Sequence, residues 1–165
     1  MVELKKSIDV HKIVVSIYLV LMAIYLAIGF APSKAEAFNY EISSELEIPT
    51  IGLTADVTSL RMKDGELKTP DSIVGSFSRE KNKVFLVGHS STVFQNLKDL
   101  KVGDEVLYDI TKYTIRRIEI LPKSEVNMDK LLQEAEIETL VIMTCAGDDL
   151  GGGDATHRLI ITASV

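Results

Sequence analysis

The stretch Thr139-Leu140-Val141-Ile142-Met143-Thr144-Cys145, followed by AGDDLGGGD (146–154) and HRLIITAS (157–164), decides the fold. An unbroken apolar run of this length, with no polar alternation, fits a strand buried on both faces. The Gly/Asp-rich segment is a turn signal, and the last segment reads as a second strand closing the chain. Outward from this pair the same pattern returns. Lys83–Val87 is a short buried strand ending at Gly88-His89. Glu47–Leu53 alternates but carries Pro49, which suits an edge strand. Val57–Met62 is closed by Lys63-Asp64-Gly65, where Asp-Gly favours a hairpin turn. Glu105–Ile110 and Tyr113–Leu121 are further strands. Phe94, Leu97 and Leu100 recur every three residues, predicting one or two helical turns packed on a core, and Asn127–Ala135 reads as a short helix. About seven to eight strands with little helix predict an all-β fold with minor α: a closed or nearly closed β-barrel over residues 46–165.

The 165 residues suit one compact domain plus a short appendage. Trp is absent and aromatics are 6%, so the core rests on Val, Ile and Leu, which favour strands. The net charge of −6 argues against nucleic acid as a partner, because phosphate binding needs a basic face.

Ile13–Ala31 is a run of nineteen residues without a charge. At about 1.5 Å per residue it spans the hydrocarbon core of a bilayer. Lys5, Lys6, His11 and Lys12 precede it and Lys34 alone follows closely. The positive-inside bias therefore places residues 1–12 in the cytoplasm and the rest outside. Ala35-Glu36-Ala37 has the small-x-small form of a signal-peptidase site, but the run is longer than the h-region of a cleaved signal, which favours an uncleaved, single-pass transmembrane anchor. Residues 32–45 read as a juxtamembrane linker.

Cys145 is the sole cysteine, so disulfides and multi-Cys zinc sites are excluded. A thiol acts as thiolate and needs an imidazole or a cation nearby. Cys145 ends the most apolar strand and opens the Gly-rich segment, read as a flexible loop. His89 likewise ends a buried strand, and Arg158 begins the strand after the loop, so it should lie beside the Cys145 strand. His157 adjoins Arg158 on a strand and should face the other way. With His11 on the cytoplasmic flank, His89 is the histidine that can serve. Asp148, Asp149 and Asp154 bring calcium to mind, as does the acidic stretch Glu125–Glu138. Their spacing is not that of an EF-hand, so a solvated loop and a charged face are preferred and no cofactor is expected.

These segments resemble the sortase family. Val141–Cys145, with Arg158 thirteen residues on, is similar to the sortase signature TLxTC and its downstream Arg, with Val141 where Thr is usual. Leu86–Ser90 (LVGHS), followed by Phe94, Leu97, Leu100 and Gly103-Asp104, resembles the catalytic-His segment. Ile48–Val57 (IPTIGLTADV) resembles the first family motif, with Asp56 where Pro is common. The resemblance implies a cysteine transpeptidase anchoring secreted proteins at the cell wall. Cys145 would attack the Thr–Gly carbonyl of an LPxTG-like sorting signal, His89 would be acid and base, and Arg158 would hold the signal and the oxyanion. Thr144 or nearby backbone N–H groups would add to the oxyanion site. The acceptor would be an amine of peptidoglycan or a pilin Lys. No apolar run follows Val165, so the two-span arrangement of pilus-building sortases is not expected. Two rivals stand beside this: an anchored cysteine peptidase (a hydrolase, or thiol protease) on the same fold, and a non-catalytic binding module.

Overall fold

The computed structural model describes residues 15–22, 41–61, 69–78, 81–151 and 154–165. The chain divides into Met1–Asn39 and Tyr40–Val165. In the first unit residues 15–22 are helical and exposed. The rest of the span expected over 13–31 lies outside the described residues, as do its cytoplasmic flank and most of the linker. Among the described residues no helix is long and apolar enough to cross a membrane.

The second unit is a barrel of β1 Ile42–Ile48, β2 Leu53–Ser59, β3 Val74–Phe77, β4 Lys83–Val87, β5 Glu105–Tyr108, β6 Thr111–Pro122, β7 Thr139–Gly151 and β8 Asp154–Ser164. The strand order is β1-β2-β3-β4-β7-β8-β6-β5, and β5 returns to β1 through Leu46 opposite Tyr108. Side chains alternate across each strand. The inward row fills the barrel with at least one buried residue from every strand, among them Leu46, Val57, Val74, Leu86, Val106, Tyr113, Leu140, Ile142, Leu159 and Ile161. Phe94, Leu97 and Leu100 join this core.

The outward row of three neighbouring strands is also buried. Phe85 and Val87 of β4, Val141 of β7 and Ile160 of β8 form a second cluster with Leu132, against which Val126, Met128, Leu131 and Met143 pack. The β6–β7 connection thus covers one outer face of the barrel. That double burial is why β4 and β7 read as continuous apolar runs rather than alternating ones.

Several local expectations change. Pro49 does not interrupt an edge strand: it opens a 3-10 turn, Pro49–Ile51, that separates β1 from β2 and ends at Gly52 with φ +62°. Both strands are paired on either side, since closure leaves no edge. The chain enters the barrel at Ile42, inside the segment read as linker, with Ser44 and Glu45 opposite Val57 and Asp56. β3 runs parallel to β2, with Val57 opposite Val74, and the turn expected at Asp64-Gly65 lies outside the described residues. The three-residue period of Phe94, Leu97 and Leu100 belongs to turns and a 3-10 helix, Leu97–Asp99, which has three residues per turn. The helix expected over 127–135 is a single turn, Met128–Leu131, capped by the Asn127 side chain accepting from the Lys130 N–H at 3.0 Å.

Candidate active site

β4, β7 and β8 lie side by side, and their registers set one row of side chains. β4 and β7 are parallel, with Val87 opposite Met143 as the last registered pair. Two residues further along both chains, His89 comes level with Cys145. The chains are still adjacent there, because the Thr144 hydroxyl donates to the Gly88 carbonyl at 2.8 Å. β7 and β8 are antiparallel, with Cys145 directly opposite Arg158. Side chains so paired leave the same face with Cβ atoms about 5 Å apart. His89, Cys145 and Arg158 therefore project in line from three adjacent strands, two residues beyond Val87 and Met143 and two before Ile160, on the outer face that carries the second apolar cluster.

The sequence enforces this locally. A Cβ on Gly88 would come within 2.6 Å of Val93 and 2.7 Å of Phe94, so glycine lets the turn after His89 close on the core. That turn is fixed by the His89 carbonyl accepting from the Phe94 N–H at 3.0 Å. On the other strand Gly147 has φ +79°, and a Cβ there would stand 2.5 Å from the Thr156 hydroxyl and 2.6 Å from His157 Nδ1. The left-handed backbone goes with a register shift between Ala146 and Asp149. The segment after Cys145 is consequently no flexible loop in its described part. β7 continues to Gly151 as a bulged hairpin with β8, Asp149 opposite Ala155 and Gly151 opposite Asp154.

Two hollows flank the row. One, about 220 Å³, is lined by Thr69, Val87, Gly88, His89, Met143, Thr144, Cys145 and Arg158. The other, about 200 Å³, lies under the hairpin, with Ser90, Ser91, Gly147, Asp149 and Asp154 beside His89 and Cys145. Cys145 and His89 are half-buried and border both. A thiol, an imidazole and a guanidinium bordering a cleft can do acyl transfer: nucleophilic attack, proton relay and stabilisation of developing negative charge.

Arg158 is held firmly, its side chain only 14% exposed. Nη1 donates to the Ala155 and His157 carbonyls, each at 2.9 Å, and Nη2 donates to Asp154 Oδ1 at 2.6 Å. Asp154 also accepts from Lys123 Nζ at 2.5 Å and from the Ala155 N–H at 2.9 Å. Lys123, then Arg158, then that N–H keep its carboxyl well below the usual carboxylate range. Sequence reasoning weighed Asp154 only as a loop carboxylate and passed over Lys123. Residues four apart on a strand lie about 13 Å apart, so no spacing rule announces the Asp154–Arg158 pair. It forms because the arginine runs back along its own strand. Thr144, expected at the oxyanion site, is 4% exposed and its hydroxyl is engaged with Gly88. His157 lies opposite Ala146, one step off the row, with Nδ1 2.8 Å from the Thr156 hydroxyl. Among the described residues no three His, Cys, Asp or Glu side chains are grouped to hold a metal ion.

Comparison with known proteins accords with this architecture. The chain superposes on sortase A of Corynebacterium diphtheriae, in a lid mutant, with a TM-score of 0.60 at 18% identity over 79% of this chain and 73% of that one. It is similar to a Clostridium perfringens sortase D5 transpeptidase, with a TM-score of 0.57, 24% identity and coverages of 78% and 82%. It is also similar to sortase C-1 of Actinomyces oris, at 0.56, 22%, 74% and 71%. No curated relative matches it in sequence. The family profile described as the Sortase domain matches residues 46–165, nearly the whole barrel, and on that match the chain belongs to the sortase family.

Proposed function

We propose that this sortase cleaves an LPxTG-like signal near the C-terminus of secreted proteins and transfers the new carboxyl to an amine. The observation that supports this reading best is the row of His89, Cys145 and Arg158 across β4, β7 and β8. The acyl donor lies along the outer face past Val87 and Met143. Cys145 Sγ attacks the Thr carbonyl, and the Thr–Gly C–N bond breaks as His89 gives its proton to the departing amine. The incoming amine, of a peptidoglycan cross-bridge or a pilin Lys, then loses a proton to His89 and attacks the thioester, expelling the thiolate. Arg158 donates to the signal backbone and to the oxyanion, a task suited to a fixed fork of N–H groups. The Thr144 hydroxyl, bonded to Gly88, holds β7 against β4 instead. A single-pass anchor over Ile13–Ala31 keeps the domain on the outer face of the cell membrane, where secreted substrates pass.

The test is mass spectrometry of the full-length chain after exposure to a small library of Leu-Pro-x-Thr-Gly-like peptides. The acyl fragment should be found on Cys145 and be absent from a Cys145→Ala variant that unfolds at nearly the same temperature. Added glycine or lysine peptides should divert the product from hydrolysis to transfer. A thiol that alkylates readily yet takes up no peptide sinks the reading. Acylation followed by hydrolysis alone, whatever amine is supplied, establishes the rival peptidase.

A further inference from the structure

The bonds made by Arg158 use three of its five N–H groups. That leaves Nε–H and one hydrogen on Nη2, the two that stand on the side edge of the guanidinium or next to it. A guanidinium on a long side chain carries several rotatable bonds, and a fork that turns freely stabilises an oxyanion poorly. Its direct partners, Asp154 and the Ala155 and His157 carbonyls, all lie on β8 itself, and one of them is in turn held from outside the strand. Asp154 stands at the turn of the hairpin, and its second oxygen is fastened to Lys123, just beyond the last residue of β6. β6 and β8 are paired up to Pro122 opposite His157, so Lys123 is anchored to the same sheet.

We propose that Asp154, tethered by Lys123, is a positioning residue that sets the direction of the Arg158 fork. The inference rests on the role of Arg158 proposed above. One Asp154 oxygen takes Nη2 and the Ala155 N–H together, the other takes Lys123, and so the carboxylate cannot follow the arginine if it swings. The carbonyls of Ala155 and His157 hold Nη1 at 2.9 Å each. Neither Asp154 nor Lys123 needs to touch the substrate. Each acts through the orientation of the two remaining Arg158 donors, and the effect belongs to the chemical step, because the oxyanion exists only there.

Asp154→Ala in the full-length chain should lower the acylation rate constant by about 10- to 100-fold, the size of loss that misplacing a reacting group brings. KM should rise by less than the rate constant falls, since Arg158 contributes one contact to the signal backbone in the ground state but meets the oxyanion only in the chemical step. Alkylation of Cys145 by iodoacetamide should be unchanged. The substrate is whichever library peptide acylates the wild type. In an Arg158→Lys background the further loss from Asp154→Ala should vanish, as it must when one residue works only through the other. If Asp154→Ala does not fold, Asp154→Asn takes its place; it keeps the size and one acceptor but not the charge, and about a fivefold loss is expected. Independently of any peptide, the Arg158 Nε–H order parameter from 15N relaxation should fall from the rigid range, about 0.8, to below about 0.6 in Asp154→Ala. Additive losses, or an unaltered order parameter, overturn the positioning role. An Arg158→Lys variant as active as wild type refutes the role of Arg158 instead, and the order parameter still decides whether Asp154 holds the guanidinium.

Discussion

Replacing Thr144 by Val separates a hydrogen bond from the packing around it. The two side chains have nearly the same shape and both suit strands, so the variant removes the donor to Gly88 and leaves little void. Thr144 is 4% exposed and the bond is 2.8 Å long. Losing such a donor and leaving a buried carbonyl without it costs about 1–3 kcal/mol. The added methyl returns roughly 0.8 kcal/mol, for a net loss of about 0.2–2.2 kcal/mol, a little over 1 kcal/mol at mid-range. Thr144→Ser is the counterpart: it keeps the bond and drops one buried methyl, worth about 0.8 kcal/mol. The hydrogen-bond account therefore ranks Val as the more damaging, lowering the melting temperature by about 3–6 °C in a domain of this size. Because Gly88 precedes His89, acylation should also fall further in the Val variant than in the Ser variant. Thermal unfolding of both variants beside wild type is the assay. A Val variant that melts with or above wild type, or a Ser variant that loses more, refutes the claim that this bond ties β7 to β4.

Arg158→Lys keeps the charge and loses the planar fork; turnover of the acylating peptide should fall about 10²–10³-fold, as on removing an oxyanion donor, and activity within threefold of wild type would take Arg158 out of the site. Tyr113 bears on alkaline stability. Burial first, then its hydrogen bond to Glu138 at 2.9 Å and the charge there, push its phenol well above the usual 10. In the unfolded chain the phenol loses its proton near pH 10 while the folded one keeps it, so stability declines as pH rises above that value. Denaturant midpoints between about pH 9 and 11 should show a steeper decline for wild type than for Tyr113→Phe, and parallel curves would contradict the shift.

Sequence pattern revealed strands better than their partners. β4 and β7 were legible because both faces of each are buried, which removes polar alternation. The barrel was legible from the spacing of short strands, but the parallel course of β3 beside β2 was not, since pairing direction depends on where a connection leads. The helix expected after Asn127 shrinks to one turn because Leu131 and Leu132 are pulled onto Val141 and Ile160, and tertiary packing overrides propensity there. The three residues of the row stood out because each flanks a buried strand at a glycine turn or the hairpin. Lys123 and Asp154 did not, because their contact joins the residue after β6 to the first residue of β8, which no sequence periodicity relates.

The order of strands in the closed sheet also constrains how the molecule can be made. β1 must wait for β5, with Leu46 meeting Tyr108, and β4 must wait for β7, with Val87 meeting Met143. Closing such long loops before any contact rewards them slows folding. β8 lies between β7 and β6 and comes last, so a chain halted before Asp154 exposes two unsatisfied strand edges that invite pairing with other chains. The same halted chain has its thiol and imidazole strands but no guanidinium strand between them and β6. The thiol, imidazole and guanidinium thus come together in one row only once β8 has been made and has paired with β7.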